Sequence, residues 1–192
     1  MARDIMTTDR FVFFWGGWPS QWFKSAFVVD GVTYNCCEQF MMSEKARVFG
    51  DAEALAKILV TNNPREQKAL GRKVRGFNEA AWSSVCRGIV YTGNLARFSQ
   101  NGDLRDTLLA TGDRTIVEAS PKDRIWGIGL GQDDPRASDP SQWPGSNWLG
   151  IALMQVRETL RAEVERRAAR LDAELLGQLA ERARHPGAPV CG

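Results

Sequence analysis

The sequence has a single histidine, His185, set in the tail His185-Pro186-Gly187. Histidine is the base of Ser-His-Asp and Cys-His machinery and the commonest metal ligand, so the chain argues against nucleophilic triads and multi-histidine metal sites. Cysteine is also sparse. Cys36, Cys37, Cys86 and Cys191 form no CxxC pair and no zinc spacing. Adjacent Cys36 and Cys37 do not readily bridge each other, and reduced thiols in a cytoplasmic protein are the expectation. No signal peptide or membrane span is read: Met1-Ala2-Arg3-Asp4 is polar, and no apolar run approaches about 18 residues. A one-signed charge is lacking too. Net charge is +2, too small for a nucleic-acid footprint by itself. There is no internal repeat.

Aromatic residues are present in surplus. Seven tryptophans occur in 192 residues, and Trp15, Trp18 and Trp22 lie close together. Such a surplus serves either a core or a platform for a planar base. The chain is long enough for one domain with an appendage. Residues 1–10 read as a loose leader. Phe11 to Trp15 reads as a buried strand stopped by Gly16-Gly17. Phe27-Val28-Val29 and Val32-Thr33-Tyr34 flank Asp30-Gly31, a strong hairpin signal.

The next stretch, Cys36 to Phe49, carries the most unusual pattern. At 100° per residue Met41, Met42, Ala46, Val48 and Phe49 share one helix face. Gln39, Ser43, Glu44 and Arg47 share the other, with Phe40 the exception. Glu38 and Lys45 fall in the middle of the apolar face. Burying an unpaired charge costs several kcal/mol, so these groups either pair, snorkel to the helix edge or line a pocket.

Helices follow. Asp51 caps one running to about Val60, and Pro64 opens a short one closed by Gly71. Arg72, Lys73 and Arg75 then make a basic cluster, a solvated turn or an anion site. A long helix from Glu79 to about Phe98 offers Trp82, Val85, Cys86, Ile89 and Leu95 inward. Asp103 caps a further short helix, and Thr115 to Glu118 reads as a strand. The glycines of Trp126-Gly127-Ile128-Gly129-Leu130-Gly131 match neither a Walker loop nor a dinucleotide fingerprint, but alternate glycines let a backbone approach a ligand. Residues 132–146 read as a loop, functional or disordered at that length. The last helix carries apolar residues every three or four positions from Leu149 to Leu179. About 35 helical residues exceed what one small domain buries, so its far end projects or pairs with another helix.

Four pieces in order resemble the NADAR family of YbiA-like N-glycosidases. They are Pro19-Ser20-Gln21-Trp22-Phe23, Asp30-Gly31 through Glu38-Gln39-Phe40-Met41-Met42-Ser43-Glu44-Lys45-Ala46, Leu70-Gly71-Arg72-Lys73-Val74, and Asp123 to Gly129 with Asn147-Trp148-Leu149-Gly150. The likeness covers about residues 11–161 and leaves 162–192 as a helical extension and flexible tail. It implies an α+β, mostly helical single domain, here with a small N-terminal hairpin and a long C-terminal helix. It implies hydrolysis of a ribosyl N-glycosidic bond without metal or redox cofactor. One branch acts on phosphoribosylamino-pyrimidine and pyrimidinedione intermediates of riboflavin synthesis; another removes ADP-ribose from guanine in nucleic acid. The expected partner is therefore a small phosphoribosyl or ADP-ribosyl substrate, with nucleic acid only as an ADP-ribosylated substrate and no membrane. A nucleotide-binding module without catalysis, and a purely structural partner protein working through the long C-terminal helix, are the competing readings; self-association through that helix is a separate expectation. The 132–146 insertion is longer than in the shortest members and bears on substrate size.

The chemistry assigns expected roles. Ribosyl C–N cleavage passes through an oxocarbenium-like state, for which Glu38 and Asp123 are candidate carboxylates. A departing amine also needs a proton from a nearby acid. Lys45, if held partly neutral, can attack an aldehyde carbon. The amides of Gly127 and Gly129 are candidates to hold a phosphate with Arg72 helping, and Trp22 or Trp126 to stack on the base. Trp82 is assigned to the core. Ser20, Gln21 and Asn147 complete the expected substrate-binding set through the resemblance.

Overall fold

The computed structural model describes residues 4–184, so His185 and Cys191 lie outside the described residues. The chain divides into two compact units, Met1–Arg157 and Glu158–Gly192.

The first unit is α+β. Its centre is strand β2 (Phe11–Phe14), in which all four residues are buried. Such a run suits a strand covered on both faces. β1 (Ile5–Thr7) pairs with it antiparallel, Ile5 opposite Phe14. The reading of residues 1–10 as a loose leader is corrected here: part of that segment closes one edge of the sheet. A two-stranded hairpin, β3 (Phe27–Val29) and β4 (Val32–Tyr34), turns at Asp30-Gly31. Both turn residues have positive φ, 49° and 76°, as the favoured two-residue hairpin turn requires.

Helix α1 (Cys37–Val48) follows and contacts α2 (Ala52–Val60), α3 (Pro64–Gly71) and α4 (Glu79–Gln100). This surrounding overturns the two-faced reading of α1. Gln39, Phe40 and Ser43 are buried, whereas Val48 is 43% exposed. Gln39 is soluble in the core because its amide donates to the carbonyls of Ile58, Leu59 and Thr61 at 3.0, 3.0 and 3.2 Å. The expected cap holds at Asp51, which accepts from the Ala54 amide at 3.1 Å, and the helix opening at Pro64 is capped by Asn63, whose side chain accepts from the Arg65 amide. Along α4 the buried line runs through Cys86, Val90, Gly93, Asn94, Arg97 and Phe98; Val85 is exposed, and Trp82, Ile89 and Leu95 are only half-buried.

Helix α5 (Gly102–Leu109) begins at Asn101, not at an Asp103 cap. The Asn101 amide instead ties the chain to Ala26 and Arg97 carbonyls at 3.0 and 2.8 Å. Strand β5 (Thr115–Glu118) then pairs in parallel with β2, so Glu118 lies opposite Phe14. The sheet order is β1-β2-β5. Residues 132–146 are not structureless. Asp134 and Asp139 cap two 3-10 turns, Pro135–Ser138 and Pro140–Gln142. Trp143 seats against Phe11 and donates its indole N–H to the Ala137 carbonyl at 2.9 Å.

Helix α6 (Trp148–Arg184) starts in the first unit, where Leu149, Leu153 and Val156 are buried. There Arg157 donates to the Thr111 hydroxyl and the Arg114 carbonyl, each at 2.8 Å. The second unit, from Glu158, is the continuation of this helix. Its Val164, Leu171, Leu175, Leu176 and Leu179 are exposed. No helix among the described residues is long and apolar enough to cross a membrane.

Candidate active site

The loop Ser20-Gln21-Trp22 is wired to the first turn of α1. The Glu38 amide donates to the Gln21 carbonyl at 3.0 Å, and the Trp22 indole N–H donates to Glu38 Oε2 at 3.1 Å. Ser20 shapes the turn: its hydroxyl accepts from the Trp22 amide at 3.1 Å, and its carbonyl accepts from Arg97 Nη1 at 2.9 Å. Arg97 is fully buried and stacks over Phe98 at 4.4 Å. Gln21 is buried as well, its side-chain oxygen accepting from Asn94 at 3.0 Å. Ser20 and Gln21 thus hold the loop, while Trp22, 40% exposed, keeps an open ring.

Glu38 is only 5% exposed. Burial raises its pKa; Lys68, the Trp22 indole and Arg72 pull it down, and Asp123 pushes it up again. Among the described residues no ion pair joins Glu38 to Lys45. Lys45 instead lies over the Phe77 ring, 4.1 Å from its centroid, and 5.6 Å from that of Trp82. Burial and the Arg72 guanidinium lower the Lys45 pKa. Exposed Arg72, at the end of α3, therefore acts on both groups.

Asp123 is where the motif suggested, but its Oδ1 accepts from the amides of Ile125 and Trp126 at 2.9 and 2.8 Å. It builds the loop and, at the same time, faces Glu38 electrostatically. Trp126 is half-buried, edge-on to Trp148 at 5.7 Å. Gly127 is buried. A Cβ there would meet the Glu118 carbonyl at 2.8 Å, so this glycine is needed for close packing of the loop on β5. Gly129 has φ of 73° and turns the chain beside Arg124 and Pro144. Asn147 is buried at φ 50°. Its oxygen accepts from the Glu118 amide at 3.0 Å and its nitrogen donates to the Ile116 carbonyl at 2.9 Å, so it braces β5.

Two site residues were missed. Glu118 ends β5, and its carboxyl is pushed up to about 8, first by burial and then by Asp123, with Glu38 adding and Lys68 opposing. Lys68, on α3, places Nζ 5.9 Å from the Trp22 ring centroid. The signal for Glu118 was its place at the carboxyl end of a strand immediately before a ligand-loop motif, where α/β folds gather their sites. Lys68 carried no signal beyond being one more lysine on a polar helix. Asp123 acts electrostatically on both Glu38 and Glu118, and Glu38 on Glu118, with Lys68 opposing at both and Arg72 and the Trp22 indole at Glu38. Carboxylates that repel one another's charge do not all ionise together, so the three offer both an acid and a carboxylate. Among the described residues no group of three or more His, Cys, Asp or Glu is arranged to hold a metal ion.

The NADAR domain matches residues 13–161. The chain belongs to the NADAR family. N-glycosidase R617 of Acanthamoeba polyphaga mimivirus is 43% identical over 166 residues, covering 80% of this chain and 98% of that one. N-glycosidase YbiA of Escherichia coli (strain K12) is 30% identical over 135 residues, covering 70% and 76%. The NMR structure of the E. coli protein YbiA superposes with a TM-score of 0.68 at 26% identity, covering 84% of this chain and 91% of that one.

Proposed function

We propose that this NADAR chain is an N-glycosidase that hydrolyses a ribosyl N-glycosidic bond, with a phosphoribosylamino-pyrimidine or pyrimidinedione as substrate. The N-glycosidase names of its relatives support the reaction class. The observation that carries the reading to residues is the buried Glu38 carboxylate, with the Trp22 indole bonded to it and two cations facing it. As the C1′–N bond lengthens the sugar becomes cationic, and an ionised Glu38 beside C1′ stabilises that charge most in the transition state. The exposed ring of Trp22 offers a face for the base, and Lys68 and Arg72 suit an anionic phosphate. Lys45, drawn toward neutrality by burial and Arg72, is the amine able to condense with a ring-opened ribose.

Glu38→Gln keeps the side-chain shape and removes the charge. It should lower kcat by roughly 10²–10³-fold while KM stays within a few fold. Release of free base, followed by chromatography, reads the turnover, with ADP-ribosylated guanine in an oligonucleotide run as a second substrate. Equal loss of binding, or an unchanged rate, would make Glu38 structural. Turnover of the oligonucleotide alone would move the assignment to the ADP-ribosyl branch.

A further inference from the structure

Glu118 lies outside every motif that suggested the family, yet its backbone is clamped on both sides. Its amide donates to Asn147 Oδ1 at 3.0 Å, and its carbonyl accepts from the Ile128 amide at 2.9 Å. The pairing of Phe14 with Glu118 fixes it at the carboxyl end of β5. A side chain on so rigid a base is well placed for chemistry, because its position is set before any ligand arrives. Oxygen Oε2 is shut away from solvent and has no hydrogen-bond partner. A buried, unmatched carboxyl oxygen is costly to leave without a partner, a cost removed when a bound group satisfies it. The charged and titratable groups facing it are Glu38 from α1, Lys68 from α3 and Asp123 from the following loop.

We propose that Glu118 is the general acid of this site, donating its carboxyl proton to the departing nitrogen as the C1′–N bond breaks. The inference rests on the N-glycosidase reading and extends it to the leaving group. The electron pair of the broken bond stays on nitrogen, which takes the proton from Glu118. Water then adds to C1′, and the proton it loses returns to the Glu118 carboxylate. Atoms and charge balance over the cycle with no further reactant. The division of labour follows from the surroundings. Burial raises both carboxyls; at Glu38 the indole and two cations oppose that rise, whereas at Glu118 two neighbouring carboxylates add to it and only Lys68 opposes, so Glu118 is the one that keeps its proton at neutral pH.

The test is the pH profile of kcat on a phosphoribosylamino-pyrimidinedione for the full chain and for Glu118→Gln and Glu118→Asp. The acid must be protonated, so the parent rate should hold near neutrality and fall above about pH 8. Glu118→Gln should be slower by about 10²–10³-fold and lose that alkaline limb; Glu118→Asp should keep the limb and part of the rate. A merely structural role slows Glu118→Gln and leaves the limb in place, and that result, or an unchanged rate, overturns the assignment. If Glu118→Gln does not fold, infrared difference spectra of the parent between neutral and alkaline pH decide. Disappearance of a protonated-carboxyl band with a midpoint near 8, retained in Glu38→Gln, supports the acid, and its absence overturns it. A parent inactive on every ribosyl substrate would instead sink the N-glycosidase reading itself.

Discussion

Lys45 sits between opposed influences. The rings of Phe77 and Trp82 favour the ammonium form, while burial and Arg72 favour the neutral amine. An amine tuned this way can be a plain cation or a nucleophile. We propose the nucleophile: after the C1′–N bond has broken and water has added at C1′, the ribose opens and Lys45 condenses with its aldehyde carbon, releasing water and forming an imine that a further water hydrolyses back to free sugar and amine. Borohydride added during turnover should trap a sugar-mass adduct on Lys45, read by peptide mass spectrometry. Lys45→Arg should give no adduct and turn over more slowly, since a guanidinium keeps the charge but is no usable nucleophile. No adduct together with substantial activity in Lys45→Arg would leave Lys45 an electrostatic positioner.

Among the elements, the contact between β5 and the start of α6 bears most directly on the site. Gly150 lies so close that a Cβ would collide with the Ile116 carbonyl and with the Asn147 side chain. Neither neighbour has room to give: one is strand backbone, and the other is the buried brace of that strand. Gly150→Ala should therefore cost about 1–3 kcal/mol or more in a denaturant-unfolding midpoint. It should also reduce turnover, because the shift falls on the strand that carries Glu118. A midpoint equal to the parent's would show that α6 slides freely and that the brace does not fix the acid. Similar logic explains why Asn147, expected at the ligand, is spent on backbone: a residue at φ 50° with both amide groups bonded to β5 has little left to offer.

At the scale of the whole molecule the division near Arg157 separates the carboxylate cluster from a helical segment with exposed leucines. Leu171, Leu175 and Leu179 recur every four residues, the spacing of a helix face that takes a partner helix. A chain ending at Arg161 should keep its turnover and lose any self-association mediated by that segment, checked by kcat and by light scattering. Loss of activity in a truncated chain that still melts cooperatively would tie the extension to catalysis.

What the sequence determined by itself was local. Asp30-Gly31 made the turn, Asp51 and Asn63 capped their helices, and Pro64 and Gly71 bounded a short one, because each depends on bonds within a few residues. Glu38 was legible for the same reason, as a carboxylate on a helix position where water was not expected. Tertiary structure decided the rest. Periodicity assumes one wet face, and α1 has helices on three of its contacts, so Gln39 and Ser43 went into the core. Ile5–Thr7 became a strand only because β2 offered an edge. Glu38 and Lys45 never paired, since Trp22 reached one and Phe77 the other from distant parts of the chain. The pKa of Glu118 had no local signature at all. It arises from burial, from Asp123 in the following loop and from Glu38 on α1, with Lys68 of α3 opposing, an electrostatic sum over neighbours that exists only once the chain has folded.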